Sequence, residues 1–205
     1  KELIKSILQS QLKTYATKGN LNNHIGVPLS VLEINNNIEI AIIEMGANHL
    51  NEIASLCKIA QPELGVITNI GRAHLQGFKN IENIIKAKNE LYQFIQYKKG
   101  HLFVNSDDNK LLELSKEIKR TTYGTKGETK GSLISKTPFM NILYKGLKIE
   151  SQLIGGYQFS NIMLAICIGN YFNISTNNIR NSIKSYIPRN NRSQIIKTKK
   201  NILIF

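Results

Sequence analysis

The chain has 205 residues, with 27 lysines and arginines against 14 acids and a formal net charge of +13, and this length can bury the core of one domain with a short appendage. The lysines are scattered among asparagines and isoleucines and form no basic, aromatic-interleaved stripe, which argues against a nucleic-acid partner. No apolar run approaches a bilayer span and no signal peptide opens the chain, so a soluble, cytoplasmic protein is expected.

A helix is predicted over residues 1–12 from the apolar positions Leu3, Ile4, Ile7 and Leu8. A short strand near 14–17 follows, then a loop from Gly19 to Gly26 and a helix with Pro28 in its first turn. Ile38 to Met45 reads as a strand buried on both faces that contains one acid, Glu44. Asn51 is the expected cap of a helix over 52–60, which Pro62 terminates, and 64–70 is the next buried strand. Helix 80–97, strand 101–105 ending in Ser106-Asp107-Asp108, helix 109–118 and strand 121–124 continue the alternation. After Gly131 the pattern turns into short antiparallel strands over 132–135, 139–144 and 147–154 with a Lys145-Gly146 turn. An apolar helix over 160–172 and a helix over 176–186 capped by Ser175 complete the set. The predicted fold class is α/β, a mostly parallel doubly wound sheet with a small antiparallel β excursion. Residues 1–187 are expected to form the main domain and 188–205 a basic, Asn-rich junction. Residue 1 falls inside a helical pattern and the final strand has no following turn, so the chain is expected to be a piece of a longer one.

Cys57 and Cys167 sit in separate apolar patterns without C-x-x-C spacing, which points to buried free thiols. Three polar residues stand where open α/β sheets gather ligands, at or beyond the ends of apolar strands. Glu44 is either a ligand for magnesium or a partly exposed strand-end acid. His74, in His74-Leu75-Gln76-Gly77-Phe78, is either a metal ligand or a satisfied loop histidine. Lys88, fourteen residues later, is either a site residue or a solvated helix lysine.

Five blocks carry a resemblance. They are Asn20-Leu21-Asn22-Asn23-His24-Ile25-Gly26, Glu44-Met45-Gly46-Ala47-Asn48, Thr68-Asn69-Ile70-Gly71-Arg72-Ala73-His74, Ala87-Lys88-Asn89-Glu90-Leu91 and Asn190-Asn191-Arg192-Ser193. In this order the chain resembles the Mur ligases, most of all the branch that adds D-alanyl-D-alanine. The resemblance implies a P-loop-NTPase-like central domain, 1–187, leading through 188–205 into an amino-acid-binding domain. The implied activity is an ATP-dependent amide ligase of peptidoglycan synthesis that joins UDP-N-acetylmuramoyl-tripeptide to D-alanyl-D-alanine through an acyl phosphate. It further implies a monomer with ATP and Mg²⁺ as cofactors, Glu44 and His74 on the metal and Lys88 as a carbamylated lysine. Asn161 and Gln158 would contact adenine and Arg192 the nucleotide phosphates, with Asn20 and Asn23 beside the site. The residue three before Asn161 is commonly asparagine in the family and is Gln158 here. Plain structural roles stay open as well: a first helical turn for Asn161, a surface cation for Arg192 and turn chemistry for Asn20 and Asn23. The phosphate-cradling G-x-x-G-K-[ST] loop that precedes the family's first helix is not in the chain, so the piece alone is expected to be inactive. Another Mur-like or folylpolyglutamate-type ligase, or a degenerate nucleotide-binding module, are the alternatives.

Overall fold

The computed structural model describes residues 1–71, 75–188, 195–197 and 202–204. The elements run α1 (Glu2–Leu8), β1 (Thr14–Ala16), α2 (Gly26–Leu32), β2 (Ile40–Ile42), α3 (Glu52–Ala60), β3 (Leu64–Val66), α4 (Leu75–Phe78) and α5 (Ile81–Tyr97). Then come β4 (His101–Asn105), α6 (Asn109–Leu114), β5 (Arg120–Gly124), β6 (Thr129–Ser135), β7 (Asn141–Tyr144) and β8 (Leu147–Glu150). Helices α7 (Gln158–Tyr171) and α8 (Thr176–Ser185) and the strands β9 (Ile195–Lys197) and β10 (Ile202–Ile204) close the chain.

The main sheet has the order β3-β4-β5-β6-β7-β8. It is parallel from β3 to β6 and antiparallel from β6 to β8, so the predicted α/β class and its β excursion both hold. Lys145 and Gly146 have φ of 48° and 75°, the pair of left-handed residues that a tight hairpin between β7 and β8 requires. β1 and β2 form their own parallel ladder, and β9 pairs antiparallel with β10.

The core explains the layering. Leu3, Ile4, Ile7 and Leu8 of α1 meet the run Ile162–Ile168 of α7, together with Phe103, Tyr123, Ile179 and Ile183. Ile40 and Ile42 of β2 and Leu64 and Val66 of β3 lie against this same cluster, so both parallel ladders share one apolar wall. α7 is the central helix, apolar nearly all round as its sequence requires.

Several expected boundaries shorten for identifiable reasons. The first helix stops at Leu8 because the Ser10 hydroxyl donates to the Ile7 carbonyl at 2.7 Å and tightens the last turn. The strand expected over 38–45 pairs only over Ile40–Ile42 and is partly exposed, so it is not a strand buried on both faces. Pro28 is the third residue of its helix, which starts at Gly26. Helix 109–118 ends at Leu114, where the Ser115 hydroxyl and the Arg120 guanidinium take the carbonyls of Leu111 and Leu112 at 2.7 Å. Asn51 does not cap α3 with its side chain; its backbone is left-handed, and the cap comes from Glu90 of α5.

His101 opens β4 with 7% of its surface exposed. Its Nε2 lies 2.9 Å from Thr121 Oγ1, and its ring packs on Phe103 and Tyr171. Burial, and then the charge of Lys119, hold its pKa below the ordinary 6.5. The unfolded chain therefore takes up this proton first as pH falls, so the stability that neutral His101 preserves is present above 6.5 and is lost below it. His101→Gln should flatten the dependence of the urea midpoint on pH between about 7.5 and about 5. Equal slopes in variant and parent would contradict this.

Candidate active site

Glu44 lies two residues beyond β2, where the strand's carboxyl end opens toward solvent. Its amide donates to the Thr17 hydroxyl at 3.0 Å, and Thr17 is itself buried. The carboxylate has a partner on each oxygen. Asn22 Nδ2 donates to Oε1 at 3.1 Å, and the Lys1 ammonium sits 3.3 Å from Oε2. The loop carrying Asn22 is pinned beside it, because the Gly46 amide donates to the Asn22 carbonyl at 2.8 Å. A carboxylate oxygen is a donor that a hard cation takes, although no group of three acids, histidines or cysteines that could hold a metal forms among the described residues.

Lys88 projects from α5 toward the end of β3. Its ammonium donates to the Asn69 carbonyl at 2.6 Å, and burial alone lowers its pKa from the usual 10.5. The two strand ends meet through their neighbours. Ala47, three residues past Glu44, and Ile70, next to Asn69, both pack on the cluster of Phe78, Ile84 and Ala87. Gly77 belongs to the same junction, where a Cβ would stand 2.5 Å from the Asn48 carbonyl oxygen, so a larger residue would push the two loops apart.

A cross-link of charge fixes the arrangement. Both oxygens of Glu90, on α5 like Lys88, accept backbone amides at the start of α3, Asn51 N at 2.6 Å and Ala54 N at 2.9 Å. Glu52 accepts the amides of Asn48 and His49 at 2.7 and 3.1 Å. The turn after Glu44 is thus held at its far end by two carboxylates.

The first turn of α7 carries Gln158 and Asn161. Asn161 Nδ2 donates to Gln158 Oε1 at 3.0 Å, and Asn105 at the end of β4 donates to Ser160 at 3.3 Å. This amide pair therefore sits at the carboxyl end of β4, along the same edge of the fold as Glu44 and Lys88. Next to it the Asp107 carboxylate accepts the Thr125 amide and hydroxyl, and Asp108 caps α6, so Asp107 and Asp108 serve the turn that follows β4.

The remaining candidates divide. Asn23 has a structural task, its Oδ1 accepting the amides of Ile25 and Gly26 at 3.1 and 2.9 Å. Asn20 is exposed and gives its carbonyl to the Asn22 amide. His74 and Arg192 lie outside the described residues. Sequence reasoning passed over Asn22, Lys1 and Thr17, the residues that touch Glu44, because polar side chains in loops and at a first position carry no periodic signal. Cys57 and Cys167 are buried free thiols with pKa pushed up to about 11 by burial, as anticipated. A surface cavity of about 320 Å³ lined by Gln96, Lys99, Gly100, Glu117, Ile118 and Lys119 lies at the opposite edge, by the amino end of β4, and holds none of the candidates.

The model of the Mur ligase middle domain matches residues 1–169. The chain belongs to the Mur ligase middle-domain family. Its curated relatives include the UDP-N-acetylmuramoyl-tripeptide–D-alanyl-D-alanine ligase of Bacillus subtilis, 32% identical over all of this chain and 45% of the relative. The ligase of the same name from Haemophilus influenzae is 41% identical over 58% of this chain and 26% of its own length. Among solved structures, MurF from Acinetobacter baumannii superposes with a TM-score of 0.86 at 28% identity, over all of this chain and 47% of that one. The MurF ligase of Thermotoga maritima, solved in complex with ADP, has the same fold with a TM-score of 0.85 at 24% identity, over all of this chain and 49% of that one. The chain spans about half the length of the curated relatives it matches across its whole extent.

Proposed function

We propose that residues 1–187 are the central ATP-binding domain of a longer ligase that adds D-alanyl-D-alanine to UDP-N-acetylmuramoyl-tripeptide, and that 188–205 lead into its next domain. The observation that carries the proposal is the placement of Glu44 just past the end of β2 and of the half-buried Lys88 amine on the loop past β3, two loops whose residues Ala47 and Ile70 pack on one cluster. The 32% identity to the Bacillus subtilis ligase over the whole of this chain supports the choice of branch.

The chemistry has to bring a triphosphate, a carboxylate and a departing phosphate together without repulsion. The terminal carboxylate of the tripeptide attacks the γ-phosphorus of ATP and ADP leaves. The dipeptide amine then attacks the resulting acyl carbon and gives up one proton to solvent, and the tetrahedral intermediate collapses to the amide as inorganic phosphate departs with the C–O bonding electrons. Glu44 and His74 would hold Mg²⁺, which supplies charge neutralisation of the phosphates. Lys88 is the proposed third ligand, an oxygen donor once it is a carbamate. A neutral lysine amine adds to CO₂ and releases a proton, and the lowered pKa of Lys88 favours that neutral amine. Arg192 would reach the phosphates, and Asn20 and Asn23 would border the site through their loop. The Gln158–Asn161 pair offers the donor and acceptor amide groups that an adenine edge needs.

Asn161→Ala in the full chain should raise KM for ATP about tenfold with a smaller change in kcat, the pattern of lost ground-state binding. An unchanged KM would remove Asn161 from the base site. The reading as a whole is tested by substrate labelled with ¹⁸O in the tripeptide carboxylate. One label should appear in inorganic phosphate only when ATP and D-alanyl-D-alanine are both present, and label-free phosphate would refute the acyl phosphate. The proposed enzyme acts in the cytoplasm as a monomer. No helix of the described residues is long and apolar enough to cross a membrane.

A further inference from the structure

Lys1 is held in an unusual way for a lysine. Its side chain is only 11% exposed, and its ammonium donates to the Gly19 carbonyl at 2.6 Å while standing 3.3 Å from Glu44 Oε2 and 3.4 Å from Glu2 Oε1. Three groups from α1, the asparagine-rich loop and the end of β2 thus converge on one positive charge. Glu44 accepts from Asn22 on its other oxygen, so its orientation is fixed from both sides.

We propose that Lys1 is a positioning residue that reserves Glu44 for a divalent cation arriving with a polyphosphate and disfavours the bare cation. The inference rests on the reading of Glu44 as a cation ligand. A bare divalent ion on Glu44 meets a fixed positive charge a few ångströms away, which in this partly buried setting opposes its binding. A divalent ion that arrives with a nucleoside triphosphate brings net negative charge, and the same ammonium then attracts phosphate oxygens. One lysine therefore acts with opposite sign on the two species, and its Gly19 contact keeps it in place for either.

The test compares Mn²⁺ binding without nucleotide, followed by electron paramagnetic resonance, with binding of Mg²⁺ and a non-hydrolysable ATP analogue, both in the full chain. Lys1→Gln should bind bare Mn²⁺ about fivefold more tightly and the Mg²⁺-analogue about fivefold more weakly. Lys1→Arg, which keeps the charge, should stay near the parent on both, and Lys1→Met should repeat the glutamine result. Glu44→Gln separates the two levels of the argument. If it leaves Mn²⁺ binding unchanged, the cation reading of Glu44 fails. If it weakens Mn²⁺ binding while Lys1→Gln leaves that binding unchanged or weaker, the role of Lys1 is overturned and the cation reading stands.

Discussion

Replacing Lys88 with alanine in the full chain is expected to lower kcat by about 10²-fold or more, since it removes one of the charged groups the transferring phosphate would face. The proposed carbamate makes a sharper prediction. Small carboxylic acids such as acetate should restore part of the activity of Lys88→Ala, because they supply the missing oxygen donor. Lys88→Arg should be as inactive and should not be rescued, since a guanidinium neither carbamylates nor leaves room for the acid. Full activity of Lys88→Ala would remove the residue from the chemistry. Inactivity without rescue, alongside rescue-free Lys88→Arg, would favour the simple ammonium seen on the Asn69 carbonyl.

Glu90→Ala is expected to destabilise the fold by about 2 kcal/mol, because two amides at the start of α3 lose their acceptor in a partly buried junction. In a chain of this size that corresponds to a fall in Tm of roughly 4–8 °C. Glu90→Gln keeps one acceptor oxygen and should cost about half as much. The consequence reaches function, since Glu90 joins the helix that carries Lys88 to the helix that follows the Glu44 turn. The alanine variant should therefore lose activity beyond its loss of folded protein at a temperature well below its Tm. Unaltered urea midpoints in both variants would show that water replaces the carboxylate at no cost.

The legibility of this fold in its sequence follows the strength of each local signal. The apolar run of α7 and the alternation from residue 64 to 124 are periodic over many turns, so both fold class and element order could be read. The β7–β8 hairpin was legible because Lys145-Gly146 announces its turn. The boundaries of α1 and α6 were not, because they are set by the hydroxyls of Ser10 and Ser115 bonding to carbonyls one turn back. The cap of α3 was hidden for a different reason. Asn51 has the right chemistry at the right position, yet Glu90 arrives from 39 residues away and takes the amides first.

The candidate site shows the same division. Glu44 and Lys88 stood out because each is a charge at the edge of an apolar pattern. The partners that hold them, Asn22, Lys1 and the Asn69 carbonyl, are brought there only by the tertiary fold. Gln158 shows a substitution that folding absorbs. Its longer arm still reaches Asn161, so the amide pair expected in this family persists with one methylene more.

The most direct test of the central claim is turnover by the full chain with UDP-N-acetylmuramoyl-tripeptide and ATP, measured as phosphate release with D-alanyl-D-alanine or with single amino acids as the amine. The account predicts release that depends on the dipeptide and exceeds that with any single amino acid. Preference for a single amino acid would contradict the assignment to the D-alanyl-D-alanine-adding branch, and release that ignores the amine would contradict ligation altogether.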